Sequence, residues 1–151
     1  MKDGQEYLHS ELTDVIIKAF YAVYNRLGYG FLEKVYENAM LLELKEMGLS
    51  VERQRPITVL YHDQEVGQYY ADLIVDNKVI LELKAADGLR DEHVHQLINY
   101  LKATRIEVGI LFNFGTKPQF KRKIFTNSWS ALISSFSVIS VLYFPRTCQE
   151  K

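Results

Sequence analysis

The 151-residue chain is poor in the residues that crosslink or interrupt a fold. Its single cysteine, Cys148, can close no disulfide within the chain and cannot build a thiolate zinc cage. Three prolines and eight glycines leave little room for a linker. No repeat or low-complexity tract is visible, so the chain reads as a single compact unit. Excess charge is also missing: 18 Lys and Arg against 19 Asp and Glu leave a net charge of −1. That excludes a surface that is basic throughout, while a local basic stripe remains open. Met1 to Ser10 is polar and acidic, without the apolar centre of a secretory leader. The most apolar stretch, Trp129 to Phe144, is broken by five serines and is too short and polar to span a membrane. What is present is enough core: 48% of residues are hydrophobic and 25% charged, a balance that excludes disorder as the main state. The expectation is a reduced, cytoplasmic, globular protein.

Periodicity orders the elements. Leu12, Val15, Ile16, Ala19, Phe20 and Val23 recur at helical spacing and stop at Gly28. A second helix follows Gly30 and ends at Gly48, with Leu32, Val35, Ala39 and Leu42 expected inward. From Leu49 the period changes to two. Ile57, Val59 and Tyr61 lead into a polar turn over His62-Asp63-Gln64-Glu65, and a return strand runs from Val66 through Val75. Asp76-Asn77-Lys78 forms the next turn, and Val79 to Lys84 a third strand. Val94, Leu97, Ile98 and Leu101 mark a helix capped by Asp91. Ile106 to Phe114 is apolar on both faces, as a central strand requires, and Phe120 to Thr126 is the last strand. The order ααβββαββ predicts an α/β (α+β) fold, a mixed central sheet flanked by helices. A domain over 1–126 and an extension over 127–151 are expected. The extension is read as a helix followed by a strand, or as a surface for a second subunit.

Chemistry concentrates in the third strand. Glu82 and Lys84 are two apart and share a face, while Leu81 and Leu83 point to the other. Part-burying both charges is costly unless they pair or serve an ion. With a three-residue loop over Asp76 to Lys78, Asp72 lies opposite Glu82 and Tyr70 opposite Lys84; a two-residue loop would reverse the facing. Two carboxylates that close repel, and one takes up a proton unless a cation lies between them. A hard divalent ion bound through oxygens resolves the conflict and keeps water for a phosphate. Glu43-Leu44-Lys45 shows the same triplet but sits on a helix, where residues two apart do not share a face. A buried structural ion pair is the alternative reading.

Asp72 followed by Glu82-Leu83-Lys84 resembles the signature of the PD-(D/E)XK nuclease superfamily, with Ala71 where a proline often precedes the aspartate. Gly30-Phe31-Leu32-Glu33-Lys34-Val35-Tyr36 resembles the motif of its GxxExxY family, and Gln96 to Tyr100 resembles the QxxxY element of its RecB-like exonuclease branch. The resemblance spans Leu12 to Arg122. It implies a metal-dependent nuclease that hydrolyses phosphodiester bonds of DNA or RNA. Asp72, Glu82 and the Leu83 carbonyl would hold Mg2+ or Mn2+. Lys84 would be the catalytic lysine, supported by Glu33, Gln96 and Tyr100. By its position alone, Glu33 is equally a first-turn acid facing the helix dipole. A nuclease fold that no longer cleaves and only binds nucleic acid or protein is the second reading. His93 lies near the Gln96 face. It forms an HxH pair with His95, but the two diverge on a helix and make a poor zinc site.

Lys102, Arg105, Lys117, Lys121, Arg122 and Lys123 supply a phosphate track if they converge on the acids. Tyr69, Tyr70 and Tyr100 could stack on unpaired bases. A homo-oligomer formed through the 127–151 extension is the other partner considered.

Overall fold

The computed structural model describes residues 8–126. Its elements are α1 (Ser10–Leu27), α2 (Glu33–Glu46), β1 (Val51–Tyr61), β2 (Gln64–Val75), β3 (Val79–Lys84), α3 (Asp91–Lys102), β4 (Val108–Phe114) and β5 (Pro118–Ile124). This is the order and the mixed α/β (α+β) class expected. The strands form one five-stranded sheet in the order β1-β2-β3-β4-β5. β3 and β4 are parallel, joined by the α3 crossover, and the other neighbours are antiparallel. The expected helix and strand between Trp129 and Phe144, and the extension that contains them, lie outside the described residues. Among the described residues no helix is long and apolar enough to cross a membrane.

Each face of the sheet carries its own core. α1 and α2 pack Ile16, Phe20, Tyr36, Met40 and Leu44 onto Leu73, Leu81, Leu83, Ile110 and Phe112. On the other face α3 packs Val94, Leu97 and Leu101 onto Ile74, Ile80 and Leu111. The fit under α3 is close: a Cβ on Gly109 would come within 2.6 Å of Leu97 Cδ1. β4 is buried along its whole length, as its two-sided apolar sequence requires.

Of the apolar stripe expected inward on α2, Leu32, Val35 and Leu42 face out, while Ala39 packs partly buried against the core. Leu32 is 80% exposed and Leu42 64%, and the buried residues are Tyr36, Glu37, Met40 and Leu44. Both stripes have helical spacing, so a contact distant in sequence decides between them. The Tyr36 ring stacks on Phe114, with centroids 4.2 Å apart. Its hydroxyl donates to the Gly28 carbonyl at 2.7 Å and accepts the Phe31 N–H at 3.2 Å. This clamps the α1–α2 loop, in which Gly30 has φ +106°, a conformation that favours glycine. The Gly and Tyr of the Gly30–Tyr36 motif therefore have structural tasks, and they set the point where α2 begins.

The hairpins are tighter than expected at one end and as required at the other. The β1–β2 turn is His62-Asp63 alone, both left-handed, as in two-residue hairpins. The β2–β3 loop is three residues, since Val75 pairs with Val79. Midway along β1 and β2 the facing reverses. Val51 belongs to the α1–α2 core and Ile57 to the α3 core; likewise Leu73 and Ala71 lie on opposite faces. Residues an even number apart on a regular strand share a face. The break falls at Gln54, whose φ of +51° is left-handed, opposite Asp72.

Candidate active site

The twist at Asp72 coincides with a split in the sheet. Backbone pairing between β2 and β3 covers Val75–Val79, Ile74–Ile80 and Leu73–Leu81. Beyond it, side chains replace the ladder: the Leu83 N–H donates to Asp72 Oδ2 at 2.8 Å, and the Asp72 N–H donates to Glu82 Oε1 at 3.3 Å. Asp72 and Glu82 thus meet across the seam, while pairing stops before Tyr70 can oppose Lys84.

Glu82 is only 3% exposed. Burial, and then the Asp72 charge, push its carboxyl well above the usual 4.5, opposed by the Asp72 N–H and Lys84. Burial likewise raises Asp72 above 3.8, opposed by the Leu83 N–H. The positive charge of Lys84 favours ionisation of both acids. Lys84 ends β3 beside Asn113 of β4. Asn113 is fully buried and grips the following loop, accepting the Ala86 N–H and donating to the Ala86 carbonyl, both at 2.9 Å. Gly115 lets that loop approach, for a Cβ there would lie 2.2 Å from the Ala86 oxygen.

Helices bring the remaining groups. Glu33 opens α2, is exposed, and acts on Asp72 through its charge. Glu37, one turn later, is absent from the set expected from the sequence, yet it bears on Asp72 more strongly. It is 5% exposed and accepts from Lys34 Nζ at 3.0 Å, Arg53 Nη2 at 3.1 Å and Gln54 Nε2 at 3.1 Å. The signal that marks it is helical spacing: Glu33, Glu37, Met40 and Leu44 fall on one stripe. From the other face, Gln96 Nε2 donates to the Tyr100 hydroxyl at 2.7 Å. The Tyr100 ring belongs to the apolar core with Leu97 and Leu101 rather than facing away from them. Burial raises its phenol above 10, with Gln96 opposing and the Glu82 and Asp72 charges adding. Its ring lies 5.7 Å from that of Tyr69, whereas Tyr70 is bonded to Gln68.

The basic residues do not converge as one track. Lys121 shares the cross-strand row of Glu82 and Leu111 but lies two strands away. Arg122 points to the α1 face, where it donates to the Leu8 carbonyl, because alternation sends neighbouring side chains to opposite faces. Lys117 lies in the β4–β5 turn, and Lys102 lies over the Phe125 ring at 5.8 Å. Only Arg105 joins β1, at a cavity beside the end of α3. His93 is occupied by the start of α3: its Nδ1 accepts the Arg90 N–H at 3.2 Å, so Arg90, not Asp91, precedes the first turn.

Among the described residues no three His, Cys, Asp or Glu side chains form a metal cage. The seam instead brings together two hard carboxylates, Asp72 and Glu82, each accepting or facing a backbone N–H of the opposite strand. A divalent cation fits this chemistry, because it would offset the burial and mutual repulsion that disfavour two ionised carboxylates.

Comparison with known proteins adds three findings. A family model described as PD-(D/E)XK nuclease superfamily matches residues 10–123. The solved crystal structure of SSO0001 superposes with a TM-score of 0.50 at 20% identity, covering 93% of this chain and 71% of that one, a likeness of fold. No curated protein matches the chain.

Proposed function

Since the chain belongs to the PD-(D/E)XK nuclease superfamily, we propose that it is a metal-dependent nuclease, a hydrolase of phosphodiester bonds in DNA or RNA. The observation that carries this reading is the pair Asp72 and Glu82, bonded to each other's strand across an opened seam beside Lys84. The Gly30–Tyr36 clamp supports placing the chain in the GxxExxY family, with a nuclease domain over 1–126 and an extension over 127–151. A cytoplasmic setting agrees with the cysteine content.

Asp72, Glu82 and the Leu83 carbonyl would hold Mg2+ or Mn2+. The bound ion supplies Lewis-acid charge at the scissile phosphate. Lys84 orients the attacking water and meets negative charge as it develops on the phosphoryl oxygens. Tyr100, fixed by Gln96, presents its hydroxyl at the same seam and positions the substrate. Glu37 holds Arg53 and Gln54 in place behind Asp72, and Glu33 adds a second acid near the water.

The test is direct. Purified protein with Mg2+ or Mn2+ is given single- and double-stranded DNA and RNA, beside Asp72→Asn and Lys84→Ala. Cleavage by the wild type alone supports the reading. A wild type that cuts none of the four, or variants that cut as well as it does, would rule it out.

A further inference from the structure

A cavity of about 450 Å³ opens between β1 and the end of α3, lined by Arg55, Ile57, Thr58, Asn77, Arg105 and Ile106 among others. It lies within the size range of small-ligand pockets, roughly 300–1,000 Å³. Its floor is apolar and its rim is cationic. Arg55 is held over it by Asn77 Oδ1 at 2.6 Å. The one acid beside Arg55 is Glu52, at 3.8 Å in an exposed pair, a contact too weak to cancel the arginine. Arg105 is exposed at the opposite rim.

Cross-strand neighbours lead from this cavity toward the acid pair. Ile57, on the floor, is the cross-strand partner of Tyr69. Tyr69 contacts Tyr100, whose hydroxyl lies in the field of Glu82 and Asp72. Arg55 itself pairs with Ala71, the residue before Asp72. The path therefore runs from two guanidinium groups, over an apolar floor and the exposed Tyr69 ring backed by Tyr100, toward the carboxylates.

We infer that this path is a groove for an unpaired nucleic-acid strand, with a base seated on the floor and flanking phosphates on Arg55 and Arg105. The inference rests on the nuclease reading for the identity of its substrate. An unpaired strand fits because its bases are free to turn their faces to apolar and aromatic side chains. In a duplex those faces are stacked inside, and the floor would go unused.

Fluorescence anisotropy on the full chain tests this, in an Asp72→Asn background so that no strand is cut. The probes are an unpaired oligothymidylate of about twelve nucleotides and a duplex of the same length. The unpaired strand should bind about tenfold more tightly than the duplex. Arg105→Gln, at the exposed rim, should weaken it about fivefold and reduce the slope of log affinity against log salt by about 0.7. Ala103→Trp, which adds bulk in the cavity lining at the end of α3, should weaken the unpaired strand and spare the duplex. Equal or tighter duplex binding overturns the inference, as does an Arg105→Gln affinity within about twofold of its parent. Cleavage by the wild type separates the two claims. A protein that cuts but prefers duplex loses the groove alone. One that shows the strand preference and both variant effects, yet cuts nothing, keeps the groove and loses the nuclease reading.

Discussion

β3 treats its two neighbours differently. Against β4 it keeps a regular parallel register through six pairs, from Val79–Val108 to Lys84–Asn113. Against β2 it keeps three pairs, and then its Leu83 N–H goes to the Asp72 carboxylate while its Glu82 carboxylate takes the Asp72 N–H. One side is rigid and places Lys84; the other is opened and places charge. A sheet interior normally excludes ionisable groups because each backbone polar atom is already paired. Here the missing ladder leaves amide groups that hold the acids in position. The site is built from what the seam gives up.

The contrast can be broken most severely at the charges. Lys84→Ala should lower metal-dependent cleavage by about 10²–10⁴-fold while circular dichroism stays unchanged. Equal loss of ellipticity would mean that the lysine serves the fold.

Next comes the rigid side. Gly115→Ala places a Cβ against the Ala86 carbonyl and should destabilise the protein by about 1–3 kcal/mol in urea denaturation. An unchanged midpoint would show that the loop after Lys84 can shift freely.

The open side should answer to pH. Glu82 has a folded pKa above its unfolded one, so its contribution to stability is complete below the unfolded value near 4.5 and is lost as pH rises through the raised folded value. The metal-free protein should therefore lose melting temperature on that rise, with a limiting slope of about 1.4 kcal/mol per pH unit for one proton released. Mn2+ should reverse the loss, and Glu82→Gln should cut the pH dependence to the part carried by Asp72 and remove the metal response. A flat melting profile without metal would contradict a buried Glu82 whose carboxyl is pushed upward.

The smallest effect belongs to the twist. Gln54→Gly relieves a left-handed side chain but loses the bond to Glu37, so the net change should stay within about 1 kcal/mol. Gln54→Val, β-branched at positive φ, should cost about 1–3 kcal/mol.

The order of elements was legible because the 3.6 and 2 periods separate cleanly along this chain. The three-residue loop was legible because only an odd loop aligns Asp72 with Glu82. What could not be read depends on partners far away in sequence. The buried face of α2 is chosen by Phe114, and Asn113 reaches a loop 27 residues earlier. Gln54 is not a residue that advertises a left-handed backbone, so the twist it marks was invisible. Arg122 stands in a run of basic residues, yet alternation along β5 sends its side chain to the face opposite those of Lys121 and Lys123. Glu37 was within reach, since it shares the stripe of Met40 and Leu44.

The irregularity at Gln54 has one more consequence. Among the described residues β1 has no outer neighbour, and an open margin of eleven residues is a template on which other chains could add. Gln54 interrupts that margin, and Pro56, two residues on, offers no amide proton to a newcomer. The distortion that sets Asp72 at the seam therefore also guards the sheet against intermolecular stacking.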